Sequence, residues 1–172
     1  MKPTKFSREF AMPNAETFSI KPIKNFVHKY TNYQRIIVDP FARNSKIGTI
    51  TNDLNPNTNA KYHMRAEEFL DMIIGRGIKA DVILYDPPYS PTQVKQCYQG
   101  IGMEVTQEDT RSSFYTKIKN RIRTLIKPNG IVLSFGWNSM GMGKELEHLE
   151  ILMVSHGGNH NDTICVAQQR IT

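Results

Sequence analysis

The sequence predicts an α/β protein, with a mostly parallel, twisted sheet carrying helices and closing in a C-terminal antiparallel hairpin. Three observations predict it. Short β-branched runs such as "RIIVDP" and "DVILYDPP" stop at an acid and a proline, as buried parallel strands do. Stretches of helical periodicity separate these runs. The last two apolar runs, "LEILMVSHG" and "TICVAQQR", are joined by the Gly157-Gly158-Asn159 turn that a hairpin needs.

Each element follows in order. Residues 1–16 are polar and broken by Pro3 and Pro13, which predicts an irregular lead. "SIKPIKNFVHKY" places Ile23, Phe26, Val27 and Tyr30 on one helical face, with Pro22 in the first turn. "RIIVDP" and "IGTITND" are strands, and "AEEFLDMIIG" is a helix from Ala66 ended by Gly75 or Gly77. "DVILYD" is the next strand. Ser90 caps a short helix with Pro91 at its first position, and residues 103–111 form a mobile surface loop. Phe114, Ile118, Ile122 and Ile126 recur every fourth residue along a helix that Lys127-Pro128-Asn129-Gly130 stops. "IVLSFGW" is the strand before the hairpin.

At 172 residues the chain is long enough for one domain, 1–172. The hydrophobic fraction of 39% and charged fraction of 22% fit a globular chain, and the charge of +6 suits a polyanionic partner. No apolar run reaches the ~20 residues of a membrane span and the N-terminus has no apolar signal segment, so a cytoplasmic protein without membrane contact is expected. Cys97 and Cys165 lie far apart without a CxxC partner, which argues against a disulfide or zinc site. His156, His160 and Asp162 flank one turn, but free hairpin loops carry such residues, and no metal is expected.

Asp39, Asp53 and Asp86 each end a predicted strand, on the edge where α/β sheets bind ligands. The corner Asp86-Pro87-Pro88-Tyr89 has distinctive chemistry. Two prolines fix the backbone and remove two donors, leaving a carboxylate and rigid carbonyls as acceptors beside an aromatic face. Two acceptors and a ring suit an exocyclic amine on a nucleobase. The bland alternative is an Asp capping a helix after prolines that merely end a strand.

This DPPY sequence at a strand end resembles the catalytic motif of the nucleic-acid amino-methyltransferases, the adenine-N6 branch in particular, over residues 16–170. The resemblance implies a Rossmann-like methyltransferase fold and S-adenosylmethionine as cofactor. It further implies methyl transfer to the N6 amine of an adenine flipped out of DNA. It assigns the catalytic corner to Asp86, Pro87, Pro88 and Tyr89. "TFSIKPI" is similar to the family's N-terminal cofactor segment, which assigns Phe18, Ser19, Ile20 and Lys21 to the cofactor. "IIVDPFA" is similar to its first strand and cofactor loop, adding Asp39, Pro40, Phe41 and Ala42. "TNDLNP" is similar to its second strand, so Asp53 takes the ribose hydroxyls, with Leu54 beside it. "SFGWNSMGMG" is similar to a wall of the base pocket, which places Phe135 and Trp137 near the target unless they are a purely structural aromatic cluster; Ser90, which opens the segment after the corner, is also assigned to the target.

The chain departs from that pattern in three places. The cofactor loop Phe41-Ala42-Arg43-Asn44-Ser45 has no glycine, and Asn44 is the residue best able to take a left-handed conformation there. The interval from Asp39 to Thr49 is too short for a crossover helix, which predicts a compact loop. Arg65 stands where the family often has an acid. No segment is long enough for a separate target-recognition domain, so residues 90–115 are the expected target-facing, mobile segment. A homo-oligomer or a partner subunit is left to supply the rest. RNA as the polymer, or a catalytically silent binding module, are the competing readings. Lys117, Lys119, Arg121, Arg123 and Lys127 either track phosphates or form a solvated helix face.

Overall fold

The alternating strand and helix signals become a seven-stranded sheet in a computed structural model that describes residues 3–106 and 112–171. The strands are β1 (Lys5–Phe10), β2 (Ile37–Asp39), β3 (Ile50–Thr51), β4 (Ala80–Tyr85), β5 (Ile126–Gly136), β6 (Glu147–Ser155) and β7 (Thr163–Gln169). The helices are α1 (Lys21–Thr31), α2 (Ala66–Gly75), α3 (Pro91–Gln99) and α4 (Ser112–Leu125). The strand order is β1-β6-β7-β5-β4-β2-β3. All pairings are parallel except those of β7, which runs antiparallel to both β5 and β6. This is the Rossmann-like methyltransferase fold expected from the sequence.

The run Val82-Ile83-Leu84-Tyr85 is apolar throughout because both faces of β4 are covered. Val82 and Leu84 pack with Ile23, Phe26 and Val27 of α1. Ile83 and Tyr85 pack with Phe69, Leu70 and Ile73 of α2 and with Ile118 and Ile122 of α4. The fourfold spacing on α4 is therefore a core stripe. Truncating fully buried Ile118 to alanine would cost about 2–5 kcal/mol. On α4 Arg121 pairs with Asp71, Arg123 with Glu145, and Lys119 donates to the Gly141 carbonyl, while Lys127, which falls in β5 rather than on the helix, pairs with Asp81. They form a surface tied to its neighbours.

Chain order reverses between β2 and β4. From β2 the chain moves outward to β3, and from β4 it moves inward to β5, which opens a crevice at the carboxyl ends of those two strands. Residues 40–49 cross from β2 to β3 without a helix, as the short interval predicts. The loop is stitched by Thr49 N–H to the Ile37 carbonyl and Ala42 N–H to the Asn52 carbonyl, each at 2.8 Å. A further strand beyond β3 is reduced to a single bridge between Asn52 and Tyr62.

Several expectations need correcting. Within the lead expected to be irregular, 11–16 carry no helix or strand, but residues 5–10 form β1, an edge strand held by parallel pairing with β6. Its stability comes from main-chain bonds across more than 140 residues of sequence, from Lys5 opposite Glu150 to Phe10 opposite Ser155. The Lys127–Gly130 stop belongs to β5 rather than to a turn after α4. Ala80 pairs with Ile126 and Val82 with Ile131, so the extra residues bulge out, with Asn129 at φ 62°. The strand read as "IGTITND" shrinks to Ile50–Thr51. Within 90–115, residues 91–99 are helical, Ser90 accepts from the Gln93 N–H at 3.2 Å, and 107–111 lie outside the described residues. Among the described residues no helix is long and apolar enough to cross a membrane.

Candidate active site

The crevice holds a cavity of about 700 Å³. The β2 end contributes Pro40, Phe41 and Arg43, and the β3 end contributes Asn52, Asp53 and Leu54. From the β4 end come Asp86, Pro87, Pro88 and Tyr89. Thr17 and Ile20 close it on the α1 side, Met64 and Arg65 before α2, and Trp137 after β5.

Asp53 sits at the rim with a fixed orientation. Its Oδ2 accepts from the Arg43 N–H and its Oδ1 from the Asn55 N–H, each at 2.9 Å. Each carboxylate oxygen keeps a lone pair for a further donor. Arg43, rather than Asn44, takes the left-handed conformation in this loop, at φ 49°. Its guanidinium donates to the Ala15 carbonyl at 2.6 Å, tying the loop to the segment after β1. That tie, together with the N–H bond to Asp53, holds Arg43 where asparagine had the better intrinsic tolerance.

Asn52 has a structural task. Its side-chain amide donates to the Pro40 carbonyl at 3.1 Å and the Met64 carbonyl at 3.0 Å, and its oxygen accepts from the Met64 N–H at 3.1 Å. One buried side chain thus joins three segments of the cavity wall.

At the catalytic corner Tyr89 donates its hydroxyl to Asp86 Oδ1. Burial pushes the Asp86 carboxyl above the ordinary range, while hydrogen bonds from Tyr89 and Thr17 and the Arg43 charge pull it partly back. The Tyr89 phenol is pushed up by burial and by the neighbouring carboxylate. Tyr89 lies 5.8 Å from Trp137 between ring centroids, tilted by 54°. Tyr115, at the start of α4, donates to the Pro88 carbonyl at 2.6 Å and braces the corner from behind.

Asp39 is fully buried behind Phe41, whose N–H donates to its Oδ1 at 3.2 Å, and its Oδ2 has no partner. Burial raises its pKa well above the usual value, with Asp86 and Asp53 adding to the shift. Partial desolvation at the cavity wall and nearby Asp53 push the thiol of exposed Cys97 up, against the Arg43 charge. Both ring nitrogens of His156 are engaged, by the Ala11 carbonyl and the Thr163 hydroxyl at 2.8 Å each.

Of the sequence-predicted residues, Ile20, Pro40, Phe41, Asp53, Leu54, Asp86, Pro87, Pro88, Tyr89 and Trp137 meet in this one cavity. The others stand behind it or beside it. Phe135 is buried, with its ring 5.0 Å from Phe18 and 6.5 Å from Phe26, so this pair supports the wall from the core. Ser19 bonds back to the Glu16 carbonyl at 2.7 Å, Lys21 opens α1, Ala42 is stitched to Asn52, and Ser90 caps α3. The sequence reading missed Thr17, Arg43, Asn52, Tyr98 and Tyr115. Thr17 and Asn52 lay within the segments similar to the family's cofactor contacts, Arg43 lay in the cofactor loop, and Tyr115 was an aromatic residue one position off the buried stripe of α4.

No family model and no curated protein matches the chain. Solved structures do. A proposed S-adenosylmethionine-dependent methyltransferase from Streptococcus mutans aligns with a TM-score of 0.56 at 11% identity, over 86% of this chain and 48% of that one. The chain therefore spans about half the length of that protein. The Escherichia coli protein yhhF, described as a proposed methyltransferase, aligns at 0.55 and 9% identity, over 88% and 84%. The 1,6-didemethyltoxoflavin-N1-methyltransferase of Burkholderia thailandensis, solved with S-adenosylhomocysteine, aligns at 0.56 and 10%, over 88% and 78%. These likenesses establish the fold.

Proposed function

We propose that the chain is an S-adenosylmethionine-dependent methyltransferase acting on the N6 amine of adenine in DNA, with the base flipped out of the stack. The observation that carries this reading is the meeting, in one cavity, of the Asp53 carboxylate with the Asp86-Pro87-Pro88-Tyr89 corner. Solved proteins of this fold with bound S-adenosylhomocysteine support the choice of cofactor.

The residues present fit that cofactor. Asp53 is oriented by two backbone N–H groups, with a lone pair left on each oxygen for vicinal ribose hydroxyls. Phe41, Leu54 and Met64 supply apolar wall for an adenine ring. When bound, S-adenosylmethionine supplies a methyl group on a sulfonium that departs as a neutral thioether. The chain's own residues deal with the amine. The Asp86 carboxylate accepts one amine hydrogen. The Pro88 carbonyl is occupied by Tyr115, so the Pro87 carbonyl takes the second. Two acceptors draw the nitrogen lone pair out of the ring and stabilise the positive charge that develops on nitrogen. Tyr89 and Trp137 provide aromatic faces for the extruded base. Cys97 takes no part, since attack is direct and partial desolvation disfavours its thiolate.

The test uses purified protein with labelled cofactor and duplex DNA, digested for N6-methyladenine. Activity in the wild type, with turnover lost and cofactor binding kept in Asp86→Ala, is the expected result. An Asp86→Ala protein working at the wild-type rate removes the mechanism. Methylation of RNA alone moves the corner's chemistry to the other polymer.

A further inference from the structure

We propose that the chain pairs with a second copy of itself through β1, antiparallel, with Ser7 of each copy on the two-fold axis. β1 ends the sheet, so one of its edges has β6 and the other has no strand among the described residues. Ala11 N–H bonds the Ser155 carbonyl at 3.1 Å. In a parallel ladder one residue sends both its main-chain groups the same way, and the next residue sends them the opposite way. Residues 5, 7, 9 and 11 therefore bond toward β6, while Phe6, Arg8 and Phe10 present N–H and C=O outward. Its edge protection is limited to the charges of Lys5, Arg8 and Glu9. The strand contains no proline, and no helix covers the side chains of Phe6 (64% exposed) and Phe10 (67% exposed), which Met12 (71%) extends.

Charge selects both the partner and the register. Outward-bonding residues must face one another in an antiparallel pair, which allows registers centred on Ser7, Arg8 or Glu9. Centring on Arg8 opposes two guanidiniums, and centring on Glu9 opposes two carboxylates. Centring on Ser7 sets Lys5 opposite Glu9 of the second copy and Glu9 opposite its Lys5, while Arg8 lies across from its Phe6. Opposite charges meet on one face, where Lys5 also pairs with Glu150 of its own chain, and on the other Arg8, bonded through Nε to Ser155 Oγ, lies beside Phe6 of the second copy. The strand is thus complementary to itself. It also leads straight into Ala11, whose carbonyl holds His156, and into Pro13, Asn14 and Ala15 of the cavity wall. Pairing there would anchor that wall.

Sedimentation of the full chain at micromolar concentration should give twice the 19.7 kDa chain mass. Arg8→Pro removes one outward N–H and the Arg8 Nε bond to Ser155 Oγ, while leaving the main-chain bonds to β6. It should shift the species to 19.7 kDa, with dissociation strengthened at least tenfold, and leave the far-UV spectrum unchanged. Register is read by oxidation in a Cys97→Ser background. Ser7→Cys should crosslink to a covalent dimer and Arg8→Cys should not, because Ser7 alone meets its own copy across a closely spaced pair. The cysteine pair carries the test if Arg8→Pro does not fold. A wild-type chain that stays at 19.7 kDa overturns the proposal, including one that gains mass only when DNA is added. So does crosslinking through Arg8→Cys, or through neither variant.

Discussion

Replacing Tyr89 by phenylalanine separates two roles that the catalytic corner combines. On the proposed function the ring gives the base a face to stack on, whereas the hydroxyl donates to Asp86 Oδ1, on the carboxylate that the target amine would meet. In the wild type the incoming amine competes with that hydroxyl for the carboxylate. A hydrogen bond to a charged group contributes about 1.5–3 kcal/mol. Asp86 keeps a second donor in Thr17, and water replaces the lost hydroxyl, so the lower figure applies. Tyr89→Phe should therefore lower KM for the target by up to about tenfold, since 1.4 kcal/mol is a factor of ten. The turnover rate should be largely retained. A second signature is in the pH profile. Burial already holds the Asp86 carboxyl above its usual value, and the Tyr89 hydrogen bond is one of the interactions restraining it. Losing that bond raises the pKa further, and protonation removes an acceptor. The acid limb of kcat/KM should therefore move to higher pH in Tyr89→Phe. Initial rates with labelled cofactor and a short duplex, from pH 4 to 9, give both quantities. A collapse in turnover with KM unchanged would refute the reasoning, because the hydroxyl would then be part of the catalytic apparatus.

Three further outcomes are expected. Asp53→Ala should weaken cofactor binding by about 1–3 kcal/mol, the cost of leaving buried hydroxyls without an acceptor, as read by calorimetry. Unchanged affinity would remove Asp53 from the site. Glu150 accepts from Lys29 and from Tyr30 and pairs with Lys5 at 3.4 Å; burial raises its pKa, but these partners outweigh that and lower it from 4.5. Its stabilisation is therefore complete above the unfolded value and fades as pH falls through about 4.5 toward the lower folded pKa. Urea melts of Glu150→Gln should lose roughly 1 kcal/mol at pH 7 and converge on the wild type at low pH, a modest figure because Lys5 and Lys29 are 65% and 51% exposed. Tyr115→Phe should reduce turnover more than cofactor affinity, because it frees the Pro88 carbonyl and unbraces the corner; equal cofactor affinity and turnover to wild type would show the brace to be idle.

Elements that announce themselves by local chemistry were legible. Val82 to Tyr85 read as a doubly buried strand because both faces need apolar side chains. Ser90-Pro91 read as a helix start because capping and a fixed φ act over three residues. What escaped depends on partners distant in the chain. β1 has the sequence KFSREF, with no apolar run, and forms only because β6 supplies its hydrogen bonds. Asn129 looked like a helix stop, yet Gly130 and Arg170 bond across it, and the residues become a bulge within β5. In the cofactor loop, intrinsic tolerance favoured Asn44, but ties to Asp53 and Ala15 put Arg43 in the left-handed position instead. The corner itself was readable as acceptors beside a ring. That its own tyrosine occupies one acceptor was not, since nothing in four adjacent letters fixes which way a side chain turns.

The crossing from β2 to β3 without a helix changes how this rim can attract an anion. A helix beginning there would offer backbone N–H groups and the positive end of its dipole, fixed in place and little affected by ions in solution. This rim has instead a point charge, the Arg43 guanidinium, tied to the Ala15 carbonyl on an exposed loop. Mobile ions screen such a charge over about 8 Å at physiological ionic strength. Attraction of an acidic group to this rim is thereby tied to the salt content of the medium more closely than a helix-lined rim would allow.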